Sequence, residues 1–260
     1  MIWDVVVNIV SEFVFLPISF GLGLLGFAIK GVIARKKYKR KLKFENNLNK
    51  IQFITANPES KDSQEHANLG YVFEYMSVGE LQSTWMKNFK GIEIGVQMSL
   101  PSTIQNEQIP EENLLIIGGP FHNQMCRNVL NRYKSVFPFY WKRVGDEDAV
   151  LHFEYEGEID TYTPVLVVEG EKKYYGKDYA LIVNVKNVLD SQKRLMLLIG
   201  CRAMGCLGGA IFLSQHMDKI SENDLPEEYA MVVRMTGDED QITSGPYLEK
   251  IYKLDTTNLK

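Results

Sequence analysis

The chain has 260 residues, 45% hydrophobic and 24% charged, which suits one sizeable globular core with an appendage. Its formal net charge of −4 conceals an asymmetry: residues 1–43 hold eight Lys/Arg against two acids, and residues 44–260 hold 21 basic against 31 acidic residues. A body that acidic excludes general binding to bulk nucleic acid, although backbone amides can still hold one small anion in a local pocket. The three cysteines, Cys126, Cys201 and Cys206, form no CxxC pair and read as free thiols. No histidine has ligand spacing with a cysteine, so neither a structural metal nor any cofactor is implied.

Residues 13–34, FVFLPISFGLGLLGFAIKGVIA, are nearly all apolar. At about 1.5 Å per residue such a helix spans a hydrocarbon core about 30 Å thick. The basic run Arg35-Lys36-Lys37-Tyr38-Lys39-Arg40-Lys41 follows at once, and the positive-inside rule places that end in the cytoplasm. A cleaved signal peptide needs its basic region before the apolar core, whereas here the leading segment is acidic. The expectation is a single-pass membrane anchor over 1–34, with Trp3 at the headgroups; the alternative is a buried core helix of the domain. Ser19, Gly23 and Gly26 fall close to one face, spacing that suits a homo-oligomer through the transmembrane helix. Residues 35–50 then form a basic juxtamembrane helix or linker, and a cytoplasmic domain occupies 51–260.

Within that domain, IQFITA from Ile51 reads as the first strand and NPESKDSQEHANLG as a long polar loop. Ser77-Val78-Gly79-Glu80 reads as a turn, followed by an amphipathic helix with Leu81, Trp85 and Phe89 on one face. IEIGVQMSL is the next strand. Leu114 to Ile117 then run into Gly118-Gly119-Pro120, with a helix from Asn123 to about Lys134. From about 150 to 186 the pattern is strand after strand, as in a β-rich insertion or an antiparallel extension of the sheet. LMLLIG from Leu195 and a helix from near Gly205 to Met217 repeat the strand–glycine turn–helix design, and YAMVVRMTG and YLEKIYKL are further strands. Strands alternating with helices predict an α/β, Rossmann-like, largely parallel sheet whose ligand sits beyond the carboxyl ends of the strands.

The candidate ligand-binding residues follow from that design. Gly118 and Gly119 expose backbone N–H groups beneath a helix N-terminus, where partial positive charge favours an anion. GGP is neither GxGxxG nor a P-loop, and an ordinary strand–helix turn would look the same. Asn123 is the expected N-cap, His122 stands beside it, and Arg127 lies one turn in, where a guanidinium can fork onto phosphate or simply be solvated. In the second unit Gly200 and Gly205 open the turn and Arg202 is its only charge. Glycine at that density costs about 1 kcal/mol per interior helix site, which either a ligand or tight packing on the sheet must offset. Ser77 and Gly79 make a third, weaker turn. Glu80 there is a helix-dipole partner or a carboxylate acting on an N-glycosidic bond.

A transmembrane anchor before a Rossmann-like body with the turns IIGGPFHN and LIGCRAMGCLGG resembles the membrane-anchored SLOG/STALD-type nucleotide sensors of bacterial conflict systems. That resemblance implies binding of a nucleotide-derived signal and a membrane effector role in anti-phage defence. The PGGxGTxxE signature of the hydrolytic branch is absent. The expected function is therefore a membrane-anchored sensor of a nucleotide-type small molecule. The alternatives are a nucleotide-processing enzyme, an N-glycosidase or hydrolase, and a protein-interaction module without a small ligand. No complete Ser-His-Asp, Cys-His or metal set appears, which favours sensing.

Overall fold

The computed structural model describes residues 30–43, 50–56, 67–89, 91–98, 109–144, 148–170, 172–238 and 241–259. Expectations for the membrane span up to residue 29, including Trp3, Ser19, Gly23 and Gly26, lie outside them. Among the described residues no helix is long and apolar enough to cross a membrane.

The frame is an eight-stranded mixed sheet. Strands β1 (Lys50–Thr55), β2 (Glu93–Met98), β3 (Leu114–Ile117) and β9 (Arg194–Gly200) form its parallel core in the order β2-β1-β3-β9. Beyond β9 the sheet turns antiparallel through β8 (Lys172–Lys186), β10 (Tyr229–Asp238) and β11 (Ile242–Lys253). The eighth strand, β7 (Val165–Glu169), pairs with the first residues of β8, beyond the point where β9 ends against Ala180. A separate antiparallel sheet, β4 (Phe139–Val144), β5 (Asp148–Tyr155) and β6 (Glu158–Tyr162), is the expected β-rich insertion, and it begins earlier than the sequence pattern indicated. The α/β class thus holds, with parallel pairing confined to the core.

Among the described residues four α-helices cover the sheet. Residues 30–41 form α1, and α2 (Ala67–Asn88), α3 (Gln124–Arg132) and α4 (Ala203–Gln215) follow. The end of α1 packs with α2 and α4 on one face, around Phe53, Trp85, Leu198 and Leu213. On the other face α3 and the small sheet share a core with Ile54, Leu114, Ile116, Leu181 and Phe153. Parity explains the division, because consecutive strand residues such as Phe53 and Ile54 face opposite sides. β3 and β9 are buried along nearly their whole length, as parallel strands covered on both faces must be.

Two boundaries differ from the sequence pattern. Helix α2 is continuous through Ser77-Val78-Gly79-Glu80, so no turn exists there. One interior glycine costs about 1 kcal/mol, and burial of Phe73, Val78, Leu81 and Trp85 along the helix offsets it. The basic segment is also part of the folded body. Tyr38, Lys41 and Leu42 are buried. The Tyr38 hydroxyl donates to the Leu213 carbonyl at 2.7 Å and accepts from Trp85 Nε1 at 3.0 Å. Lys41 Nζ donates to the carbonyls of Met217 and Asp218 at 2.7 and 2.9 Å, satisfying acceptors just past the end of α4. The compact domain therefore includes residues before 51.

Candidate functional site

The chain leaves β1 and β3 in opposite directions: α2 returns to β2 over one face, and α3 lies on the other. Their carboxyl ends therefore flank a topological switch point, where an open α/β sheet leaves a crevice. A carboxyl group stands there that the sequence pattern did not single out. Glu74, in the second turn of α2, is buried, and its Oε2 accepts the Ala56 N–H at 3.2 Å. Burial pushes its pKa up to about 8, with the Ala56 N–H opposing. Gly118 makes room for it. That residue has φ +106°, which favours glycine, and a Cβ there would fall within 2.2 Å of Glu74 Oε1 and displace the carboxyl group. Thr55, at the carboxyl end of β1 on its Phe53 side, is buried, and its hydroxyl has no hydrogen-bond partner among the described residues.

The turn above is shaped by its own side chains. The Gly119 carbonyl accepts the N–H groups of His122 and Asn123. Asn123 is the N-cap of α3, as expected: its Oδ1 accepts the Cys126 N–H at 3.0 Å. Its Nδ2 also ties β3 to β1 through the Ile117 and Ile54 carbonyls at 2.9 and 3.4 Å. Arg127 turns back on the loop, donating from Nε to the Pro120 carbonyl and from Nη2 to the Phe121 carbonyl. Asn123 and Arg127 thus act first as scaffolding of the turn. His122 is exposed at its rim. Gln124 is buried at the start of α3, and its Oε1 has no partner among the described residues. Gly119 stays open: a Cβ there would meet nothing nearer than Ile199 Cγ2 at 3.8 Å.

The second glycine turn lies beside the first: the Gly118 N–H, expected to stand exposed toward an anion, donates instead to the Leu198 carbonyl of β9 at 3.0 Å. Its anion position is already filled. Asp178, fully buried on β8, accepts from Gly205 N at 2.6 Å, from Tyr179 N at 2.8 Å and from Arg202 N at 3.2 Å. Burial raises its pKa to about 7 against the pull of these three N–H groups. An intramolecular carboxylate therefore occupies the place where a phosphate was expected. Gly200 and Gly205 serve close packing: a Cβ on the first would meet the Arg202 carbonyl at 2.1 Å, and one on the second the Tyr179 carbonyl at 2.4 Å. Gly208 and Gly209 are pressed in the same way against Met235 and against Leu198 and Ala180. Arg202 lies over the Tyr175 ring of β8, 5.9 Å from its centre, and β9 separates that strand from β3 and the first turn.

The third proposed turn is corrected outright. Ser77 is buried inside α2 and donates to the Phe73 carbonyl one helical turn back at 2.6 Å. Gly79 faces solvent in mid-helix. Glu80 accepts from Ser214 and Gln215 of α4. It lies six residues, about 9 Å, along α2 from Glu74 and away from the carboxyl edge, which leaves it no place in chemistry at the glycine turns. The three cysteines are all buried, with thiols pushed up by burial, so none is a poised nucleophile. No group of three metal-ligating side chains occurs among the described residues.

The missed carboxyl group had a signal. Glu74 continues the spacing of Val78, Leu81 and Trp85 toward the N-terminus, so a helix extended through Gly79 places it on the buried face. Asp178 is an acid abutting an apolar strand, YALIVNV, a weaker mark of burial. No protein-family model matches the chain, and no curated protein matches its sequence.

Proposed function

We propose that the protein is a membrane-anchored sensor that binds a nucleotide-derived small molecule over the carboxyl edge of the sheet, at the switch point between β1 and β3. The observation that carries this reading is the contrast between the two glycine turns. The Gly200–Gly205 turn is closed by Asp178, whereas the Gly118–Gly119 turn is open at Gly119 and has Thr55 and Glu74 beneath it. A ligand seated there would meet the Gly119 turn and the start of α3 from above, and the Thr55 hydroxyl and the Glu74 carboxyl group from below. Attachment to a membrane through residues 13–34 agrees with the exposed start of α1, where Val32 and Ile33 face solvent ahead of Arg35, Lys36 and Lys37. A role in anti-phage defence is what the resemblance to SLOG/STALD-type sensors adds.

One observation favours an enzymatic second reading. A carboxyl group with a pKa of about 8 keeps its proton at neutral pH and can deliver it to a leaving group, as an N-glycosidase or hydrolase requires. In that reading Glu74 takes the part first considered for Glu80. The two readings separate when the full-length protein is incubated with NAD-type metabolites and cyclic oligonucleotides and the mixture is chromatographed. A sensor returns them intact. Product that disappears with Glu74→Gln establishes the enzyme and overturns the sensor.

A further inference from the structure

Strand β4 runs back along α3. At one end Phe139 stacks on Phe137, and Phe137 on Tyr133 at the end of α3, with 4.7 and 4.9 Å between ring centres. At the other end the Arg143 guanidinium lies over the Phe121 ring, 5.8 Å from its centre, in the turn that leads into α3. From Phe139 to Arg143 the strand covers about 13 Å, and from Gln124 to Tyr133 the helix covers about the same. Positions 139, 141 and 143 share one face of β4. On that face Phe139 is buried, and Trp141 packs edge-on against it at 5.6 Å. A seam between α3 and β4 thus leads from the core out to the first glycine turn.

Two polar atoms along this seam are buried without a hydrogen-bond partner among the described residues. Trp141 Nε1, on the strand, donates only. Gln124 Oε1, at the first residue of the helix, accepts, and Gln124 is 9% exposed. The amide is oriented by its other end, where Nε2 donates to Asn128 Oδ1 at 2.9 Å. Each orphan costs free energy for which the packing of the seam gives no return. Together they complement a group that presents an acceptor and an N–H donor side by side. Ionised phosphate only accepts and would leave Gln124 Oε1 unsatisfied. The edge of a nucleobase presents both. Positive charge stands at the outer end of the seam, where Arg143 and the N-terminus of α3 flank the open Gly119 turn.

We propose that the base of the nucleotide-type ligand enters this seam and bonds Trp141 Nε1 and Gln124 Oε1 through an acceptor–donor edge, while its phosphate stays at the rim with Arg143. The proposal rests on the reading that such a ligand binds at the first glycine turn, and it adds the direction in which the ligand lies. Phe121, 37% exposed beneath Arg143, covers the mouth of the seam, so entry of the base parts the two side chains.

The test titrates the full-length protein in detergent, by calorimetry, with AMP, GMP, CMP, UMP, ADP-ribose and cyclic dinucleotides. For a probe that binds, Trp141→Phe and Gln124→Met should each weaken binding about tenfold, the loss of one hydrogen bond, and leave its dependence on salt unchanged. Arg143→Ala should weaken binding and flatten the salt dependence, because it removes a charge and no base contact. A second measurement needs no variant of the seam. The chain has three tryptophans, and with tryptophan labelled by nitrogen-15 one indole N–H resonance of the native protein should move when the probe saturates it. Binding at native affinity by Trp141→Phe or Gln124→Met, or three unmoved indole resonances, overturns the proposal and leaves the sensor reading standing; a buried water bridging the two atoms would give that result. Failure of every probe to bind the native protein overturns both.

Discussion

Burial decides what Glu74 is at neutral pH. Its pKa rises from an ordinary 4.5 to about 8, so the folded chain keeps a proton that the unfolded chain has already released. The resulting stability is fully present below the unfolded value and is lost as pH rises through about 8. Asp178, raised to about 7, acts in the same direction over a window that ends sooner. Denaturant unfolding of the native chain should therefore show stability falling from about pH 5 to about pH 8, by a few kcal/mol. In Glu74→Gln the decline should end near the Asp178 value; an unchanged profile up to pH 8 would show that Glu74 carries no proton. Asp178→Ala tests the closed turn. It removes the acceptor of three N–H groups, from Tyr179, Arg202 and Gly205. Unfolding in urea should reveal a loss of about 3 kcal/mol or more, whereas Asp178→Asn, which keeps one acceptor oxygen, should lose less.

Among the elements, α1 is where the folded body meets the expected anchor. A chain shortened to begin at residue 44 lacks Tyr38, Lys41 and Leu42, all buried; one beginning at residue 35 keeps them. Calorimetry should find the shorter chain less stable by several kcal/mol, since each large buried side chain contributes about 1.5–3 kcal/mol. Equal melting of the two would mean that the docking of α1 adds nothing. The sequence revealed β3, β9 and the Asn123 cap because each is marked locally, by an apolar run ending in glycine or by an N-cap residue ahead of a helical pattern. It hid the first half of α2. With apolar residues on both sides, that helix has almost no amphipathic contrast, and Gly79 beside Ser77 imitates a turn. It hid β4 as well, whose FYWKRV follows a Phe-Pro pair and pairs only with residues downstream in β5. Which glycine turn is open was beyond local reading, because Asp178 lies more than twenty residues from the turn it fills.

Across the whole molecule, the switch point and α1 lie at opposite ends of the helical layer. From Glu74 to Trp85, which bonds Tyr38, is eleven residues of α2, or about 16 Å. A ligand at the carboxyl edge would thus be bound at the end of α2 away from α1 and the proposed anchor. The anchor predicts that full-length protein sediments with membranes and resists a carbonate wash; recovery in the soluble fraction without detergent would remove it from the account. The central claim, a ligand over the first glycine turn, is tested most directly by thermal denaturation of the full-length protein in detergent with nucleotides, NAD-type metabolites and cyclic oligonucleotides, beside Gly119→Val. A Cβ there meets nothing nearer than 3.8 Å and the φ is not left-handed, and the melting of the unliganded variant is the reference for its response to ligand. The account predicts that a member of the set stabilises the native protein, by about 2.7 kcal/mol at a hundred times its dissociation constant, and leaves Gly119→Val unmoved. No stabilisation by any of them, or equal stabilisation of the variant, would contradict it.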